Sequence, residues 1–114
     1  MTIFIWTLQG LLAAMFLMAA VGKLTGSSMQ RGVFEHLRLP QWFRGVTGLV
    51  ELTGAALLVI GYWQENVISA GALILGITAI GGMLAHIRVK DGFKDTIMIV
   101  VLGILSFILL YLVR

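Results

Sequence analysis

Four ionisable residues sit within or against long apolar runs, where charge is costly: Lys23, Glu51, His86 and Arg88. A charge at the middle of a membrane helix costs about 2.5–3.5 kcal/mol on insertion scales, so such residues are kept for pairing or for function. Together they offer two cationic donors, one proton-sensitive acceptor and one group that switches charge near neutral pH. That set could hold the polar head of a lipophilic molecule. It could also support acid–base chemistry by Glu51 and His86 on a lipid-soluble substrate. A third use is a structural lock, with Glu51 neutralised by Lys23 or Arg88.

Other chemistries find no residues to carry them. The chain has no cysteine, which excludes disulfides, thiol redox motifs and iron–sulfur ligation. His36 and His86 are the two histidines, and the carboxylates are scattered, so no metal is expected. Haem ligation would need both histidines to meet inside the protein. No nucleophile–histidine–acid array, phosphate loop or dinucleotide fingerprint is present. The net charge of +3 comes from few residues beside apolar segments. That pattern sets topology or touches lipid head groups, and no nucleic-acid partner is expected.

The elements that position these residues follow from composition. Of 114 residues, 60% are hydrophobic and 11% are charged, whereas a soluble domain carries about a quarter charged. A chain this short cannot hide that much apolar surface, so the excess must face lipid. Crossing the hydrocarbon takes roughly 20 helical residues. Four stretches qualify: Ile3–Gly22, Gly45–Trp63, Val67–Ile87 and Thr96–Val113. None alternates as a barrel strand does, so each reads as a helix. The expected fold is all-α: a single four-helix transmembrane domain over residues 1–114.

The connections differ in kind. Gln64, Glu65 and Asn66 make a tight turn, which predicts that the second and third spans are antiparallel neighbours. Arg88–Asp95 joins the third and fourth. Lys23–Arg44 is too long for a plain turn. Within it Met29, Val33, Phe34 and Leu37 share one helical face, Ser27 or Ser28 can cap the start, and Pro40 can stop it. This predicts a short amphipathic helix in the membrane interface, the alternative being an irregular loop over the bundle mouth.

Seven of the eight lysines and arginines (Lys23, Arg31, Arg38, Arg44, Arg88, Lys90 and Lys94) fall on one side, with Arg114 opposite. The positive-inside rule then predicts a multi-pass plasma-membrane protein with cytoplasmic longer loops and both termini outside. Trp6, Tyr62, Trp63 and Tyr111 would belt the outer interface, and Trp42 and Phe43 the inner one. No basic residue precedes the first apolar run, so it is expected to remain as a helix rather than be cleaved as a signal.

Counted from the cytoplasmic end of each span, Lys23, Glu51, His86 and Arg88 are expected at similar depth. Glu51 shares a face with Thr47, Gly48, Gly54 and Ala55, His86 with Thr78, Ala79 and Gly82, and Lys23 with Ala19 and Ala20. Small residues let membrane helices approach closely, so Gly48, Gly54 and Gly82 are expected at helix contacts. The polar groups then point into the bundle. They form either a lock or the polar floor of an apolar pocket that opens to the bilayer core. Gln9 and Ser106 are most simply bonded to a neighbouring helix or their own backbone.

Three stretches carry a family resemblance: GKLTG (Gly22–Gly26), LRLPQWFRGVTGLVELTGAALLV (Leu37–Val59) and GGMLAHIRVKDGF (Gly81–Phe93). In their order and spacing the chain resembles the DoxX-like family of small four-helix membrane proteins of bacteria and archaea. The resemblance implies a loose association with quinone-linked respiration or thiosulfate oxidation. Lys23, Glu51, His86 and Arg88 are the positions that match. The last span carries no polar motif, and the absent cysteines rule out thiol-based chemistry.

The expected function is a non-catalytic membrane component that binds a small lipophilic molecule such as a quinone, or an accessory subunit of a membrane redox complex. The alternatives are a membrane-embedded enzyme using Glu51 and His86 and a pure assembly or chaperone subunit. Expected partners are the bilayer, the lipophilic ligand, and a redox partner subunit or a second copy of the chain. A transporter fits least, since broken helices and repeats are missing.

Overall fold

The computed structural model describes residues 2–90 and 92–113. Asp91, Arg114 and the side chains of Phe93, Lys94 and Asp95, which include two of the basic residues counted above, lie outside that description. Five α-helices follow in order: α1 (Thr2–Thr25), α2 (Ser28–His36), α3 (Gln41–Ile60), α4 (Ile68–Arg88) and α5 (Phe93–Val113). A single 3₁₀ turn (Glu65–Val67) leads into α4. Four helices are long and apolar enough to cross a membrane, and only 22–33% of each span is buried inside the bundle. The remaining apolar surface, Met18, Ile77, Leu84 and Ile104 among it, faces outward and is satisfied by lipid. The protein is a multi-pass membrane protein.

The spans run alternately up and down. α1 packs along α3, α3 along α4 and α4 along α5, and a thinner α1–α5 seam closes the ring. The N-terminal end of α1 meets the α3–α4 turn, where the Tyr62 hydroxyl donates to the Trp6 carbonyl at 2.6 Å and the two rings meet edge to face. The other end carries α2 and the α4–α5 connection, and with them Arg31, Arg38, Arg44, Arg88 and Lys90.

Local chemistry explains each boundary. α1 runs past Gly22 to Thr25 and stops where Gly26 adopts a φ of 70°, a left-handed conformation that costs glycine little. The Ser27 amide then reaches back to the Gly22 carbonyl at 3.0 Å. Ser27 caps α2 by accepting from the Gln30 amide at 3.3 Å. α2 ends before Pro40, not at it. Arg38 takes a φ of 58° and the Leu39 amide closes onto the Phe34 carbonyl at 3.0 Å. Pro40 instead opens α3, its fixed φ of −66° suiting a helix entrance. The second span therefore starts at Gln41 rather than Gly45 and ends at Ile60 rather than Trp63.

α2 lays Phe34 and Leu37 against the bundle, with Val33 half-buried. Met29 departs from the expected face and is 71% exposed.

The packed core occupies only the half of the bundle nearest the chain ends. Leu8, Leu12, Phe16, Leu58, Leu75 and Leu109 fill it. Gln9 is fully buried there and donates through Nε2 to the Leu58 carbonyl at 2.6 Å, a backbone acceptor left over as α3 ends. Ser106 donates to the Leu102 carbonyl of its own helix at 2.8 Å. The other half of the bundle is not filled in this way, and the ionisable residues lie there.

Candidate functional site

Beneath α2, in the basic half of the bundle, lies a cavity of about 560 Å³. Its roof is Val33 and Phe34 of α2 with Leu37 just past that helix, and Phe16 separates it from the packed core. Apolar walls come from α3, α4 and α5. Lys23, Glu51 and His86 supply its charged and titratable lining.

Helix direction brings these three together. A Cα–Cβ bond leans toward the N-terminus of its helix. α1 and α4 run toward the basic end, so Lys23 and His86 lean inward from it. α3 runs away from that end, so Glu51 leans back toward them. The Lys23 stem lies one turn shallower than Glu51: a Cβ at Gly48 would stand 3.0 Å from the Cβ of Lys23. From there the amine reaches down until Nζ lies 2.9 Å from Glu51 Oε1. Lysines at membrane helix ends usually extend toward water. This one turns inward.

The pair is sequestered, with side-chain exposures of 13% for Lys23 and 7% for Glu51. Glu51 lies about 15 Å from the start of α3 at 1.5 Å per residue, because that helix begins at Gln41 rather than Gly45. Its Oε1 receives no aligned hydrogen bond. The carboxylate is thus held mainly by the charge of Lys23, and one face of the pair borders the cavity. His86 is also buried and lines the same space. Thr47 and Thr78 line it too, but their hydroxyls donate to the Phe43 and Ile74 carbonyls at 2.9 and 2.8 Å. They present only lone pairs to the cavity.

A sequence profile of the DoxX-like family matches residues 7–109, a range that takes in every element of the site. The chain belongs to the DoxX-like family. It is also similar to "Uncharacterized protein YdgD" of Bacillus subtilis (strain 168), with 33% identity over 76 residues, 66% of this chain and 66% of that one. The chain thus matches just under two thirds of that relative's length. No solved structure matches.

Arg88, the fourth expected member, is placed elsewhere in this DoxX-like protein. It is exposed and turns outward from the end of α4 to α2, where Nη2 donates to the Leu37 carbonyl and, at 3.3 Å, to that of Arg38. Those carbonyls are left over where α2 ends, so Arg88 clamps the cavity roof. Hydrogen bonds from a charged donor contribute about 1.5–3 kcal/mol. Arg88→Ala should leave the four spans intact but speed amide exchange at residues 33–39, as hydrogen-exchange mass spectrometry would show. Unchanged exchange there would remove the clamp.

The three glycines also separate. A Cβ at Gly48 would meet Leu24 and Lys23 at 3.0 Å, and one at Gly54 would meet Leu75 at 2.6 Å. At Gly82 it would meet only Ile99, at an ordinary 3.5 Å, and Gly82 lines the cavity instead. Sequence reasoning missed Arg44, whose Nη1 donates to the Lys23 carbonyl at 2.5 Å and so fixes the end of α1 that carries the lysine. It also missed Phe16, Met98, Ile99 and Leu102 of the cavity wall. Apolar residues in an apolar span carry no signal that tells a cavity wall from a lipid-facing position.

Proposed function

We propose that this protein is a non-catalytic membrane component that binds a small lipophilic molecule with a polar head, such as a quinone, in the cavity beneath α2. The observation that carries this reading is the coincidence of an unfilled volume of about 560 Å³ with the buried group of Lys23, Glu51 and His86. Ligand pockets pair apolar walls with a few placed polar groups, and their volumes run from about 300 to 1,000 Å³. A ligand carbonyl would accept from the inner end of the site, where Lys23 supplies N–H donors, while rings and tail lie against Phe34, Val50 and Leu102. A service to a membrane redox complex follows from the same ligand chemistry. Acid–base catalysis by Glu51 has weaker support, because the carboxylate is already engaged by an ammonium group at 2.9 Å.

Gly82 gives the test. A side chain there enters the cavity without a tight packing contact. Gly82→Leu should melt close to wild type, because its side chain enters open space rather than a filled core where overpacking would cost about 1–3 kcal/mol, yet weaken binding of a short-chain quinone at least tenfold in a fluorescence titration. Equal quinone affinity in the two proteins would place the ligand outside this cavity.

The basic end of the bundle is assigned to the cytoplasm, with both termini outside, on the strength of the lysine and arginine bias. The native chain has no cysteine, so single-cysteine probes report without background. An impermeant thiol reagent added to intact cells should label Thr2→Cys and spare Lys90→Cys. The reverse pattern would invert the topology.

A further inference from the structure

Arg31 in α2 and Arg44 in α3 turn their guanidinium groups to one point, the notch left by Gly26 where α1 ends. A Cβ at Gly26 would lie 2.9 Å from Nη1 of Arg44 and 3.1 Å from both Nε and Nη2 of Arg31. The two cations are therefore no more than about 6 Å apart, and they repel unless something negative joins them. Arg44 is partly engaged, through its bonds to the Lys23 carbonyl and, at 2.9 Å, to Gln41 Oε1. Both of those acceptors are neutral.

Among the described residues the ion pair is Lys23–Glu51, and neither arginine takes part in one. The C-terminal end of α1 offers the equivalent of about half a negative charge. Glu35 lies one turn along α2 from Arg31 but forms no ion pair with it, so the two positive charges at the notch are only partly compensated. The notch lies at the basic end of the bundle, the end that also carries the exposed Trp42, and aromatic and basic residues at a span's end are those that meet the head groups. Guanidinium forks match the oxygens of a phosphate in geometry as well as charge.

We propose that Arg31 and Arg44, converging on the Gly26 notch, form a binding site for a phosphate group, carried by an anionic membrane lipid or free in solution. The site is separate from the cavity and does not depend on what fills it. An arginine near the head groups contributes about a five-fold change in affinity for anionic lipid.

The test is native mass spectrometry of the full chain in mild detergent with equal amounts of phosphatidylglycerol and phosphatidylcholine, repeated with millimolar inorganic phosphate. Wild type should retain phosphatidylglycerol preferentially. Arg31→Gln, with helicity and melting unchanged, should lose that preference about five-fold, whereas Lys90→Gln should keep it. Phosphatidylglycerol that resists inorganic phosphate identifies a lipid as the source. Displacement by phosphate in wild type but not in Arg31→Gln identifies a site open to soluble phosphate. An unchanged preference in Arg31→Gln, or an equal loss in Lys90→Gln, would overturn the proposal in favour of a diffuse basic surface.

Discussion

Glu51→Gln is expected to destabilise the protein by about 3–5 kcal/mol, the cost of removing one member of a buried ion pair. Lys23 is anchored at its shallow end by the packing of Gly48 against it and by the bond from Arg44 to its carbonyl. With its Cβ and backbone fixed there, the ammonium group is left beside a neutral partner when Glu51 becomes Gln. The converse variant, Lys23→Met, strands Glu51 in the same way. Replacing both at once with apolar residues of similar size removes both desolvation costs, and buried pairs replaced in that manner often lose no stability. The double variant Lys23→Met/Glu51→Leu should therefore melt near wild type, while each single variant melts well below it. A double variant as unstable as the worse single one would show that the pair's partners are not each other. That comparison separates the stabilising role of the pair from its role in the cavity.

Gly54→Leu is the second large effect. α3 and α4 approach so closely at this level that a Cβ on Gly54 would stand 2.6 Å from Leu75, and one on Gly71 would stand 3.0 Å from the Gly54 carbonyl. Leu75 is fully buried in the core cluster and has nowhere to move. Overpacking a filled core costs about 1–3 kcal/mol, and a leucine adds three carbons beyond the first clash. We expect a loss at the top of that range or beyond, measured as a fall in melting temperature in detergent. Gly82→Leu serves as the control, since a side chain there faces the cavity and Ile99 of α5 rather than the filled α3–α4 contact. Equal melting of Gly54→Leu and Gly82→Leu would contradict the division of the bundle into a packed half and a cavity half.

Much of this architecture was legible in the sequence, because the membrane imposes simple rules. Long apolar runs fixed the four spans, and the amphipathic spacing of Val33, Phe34 and Leu37 marked α2. What escaped was local. Pro40 looked like a stop for one helix and proved to be the start of the next, since the same fixed φ serves both and only the left-handed turn at Arg38 decides between them. Arg88 carried the same signal as Lys23, a cation closing a span. Their directions differ because Lys23 finds a carboxylate within reach, whereas Arg88 stands beside the unsatisfied carbonyls of α2. The glycines were equally alike on paper. Whether a Cβ meets Leu75 or open cavity depends on which residue the neighbouring helix presents, and the spacing along one helix does not specify that.

On the reading proposed above, the half-filled bundle holds a lipophilic molecule against Lys23, Glu51 and His86. The most direct measurement is organic extraction and mass spectrometry of the purified wild type beside the Lys23→Met/Glu51→Leu double variant, at matched melting temperature and phospholipid content. The expected result is one lipophile with a polar head, present at close to one per chain in wild type and at least tenfold depleted in the variant. The same complement of bound molecules in both proteins, with phospholipid alone in each, would contradict it.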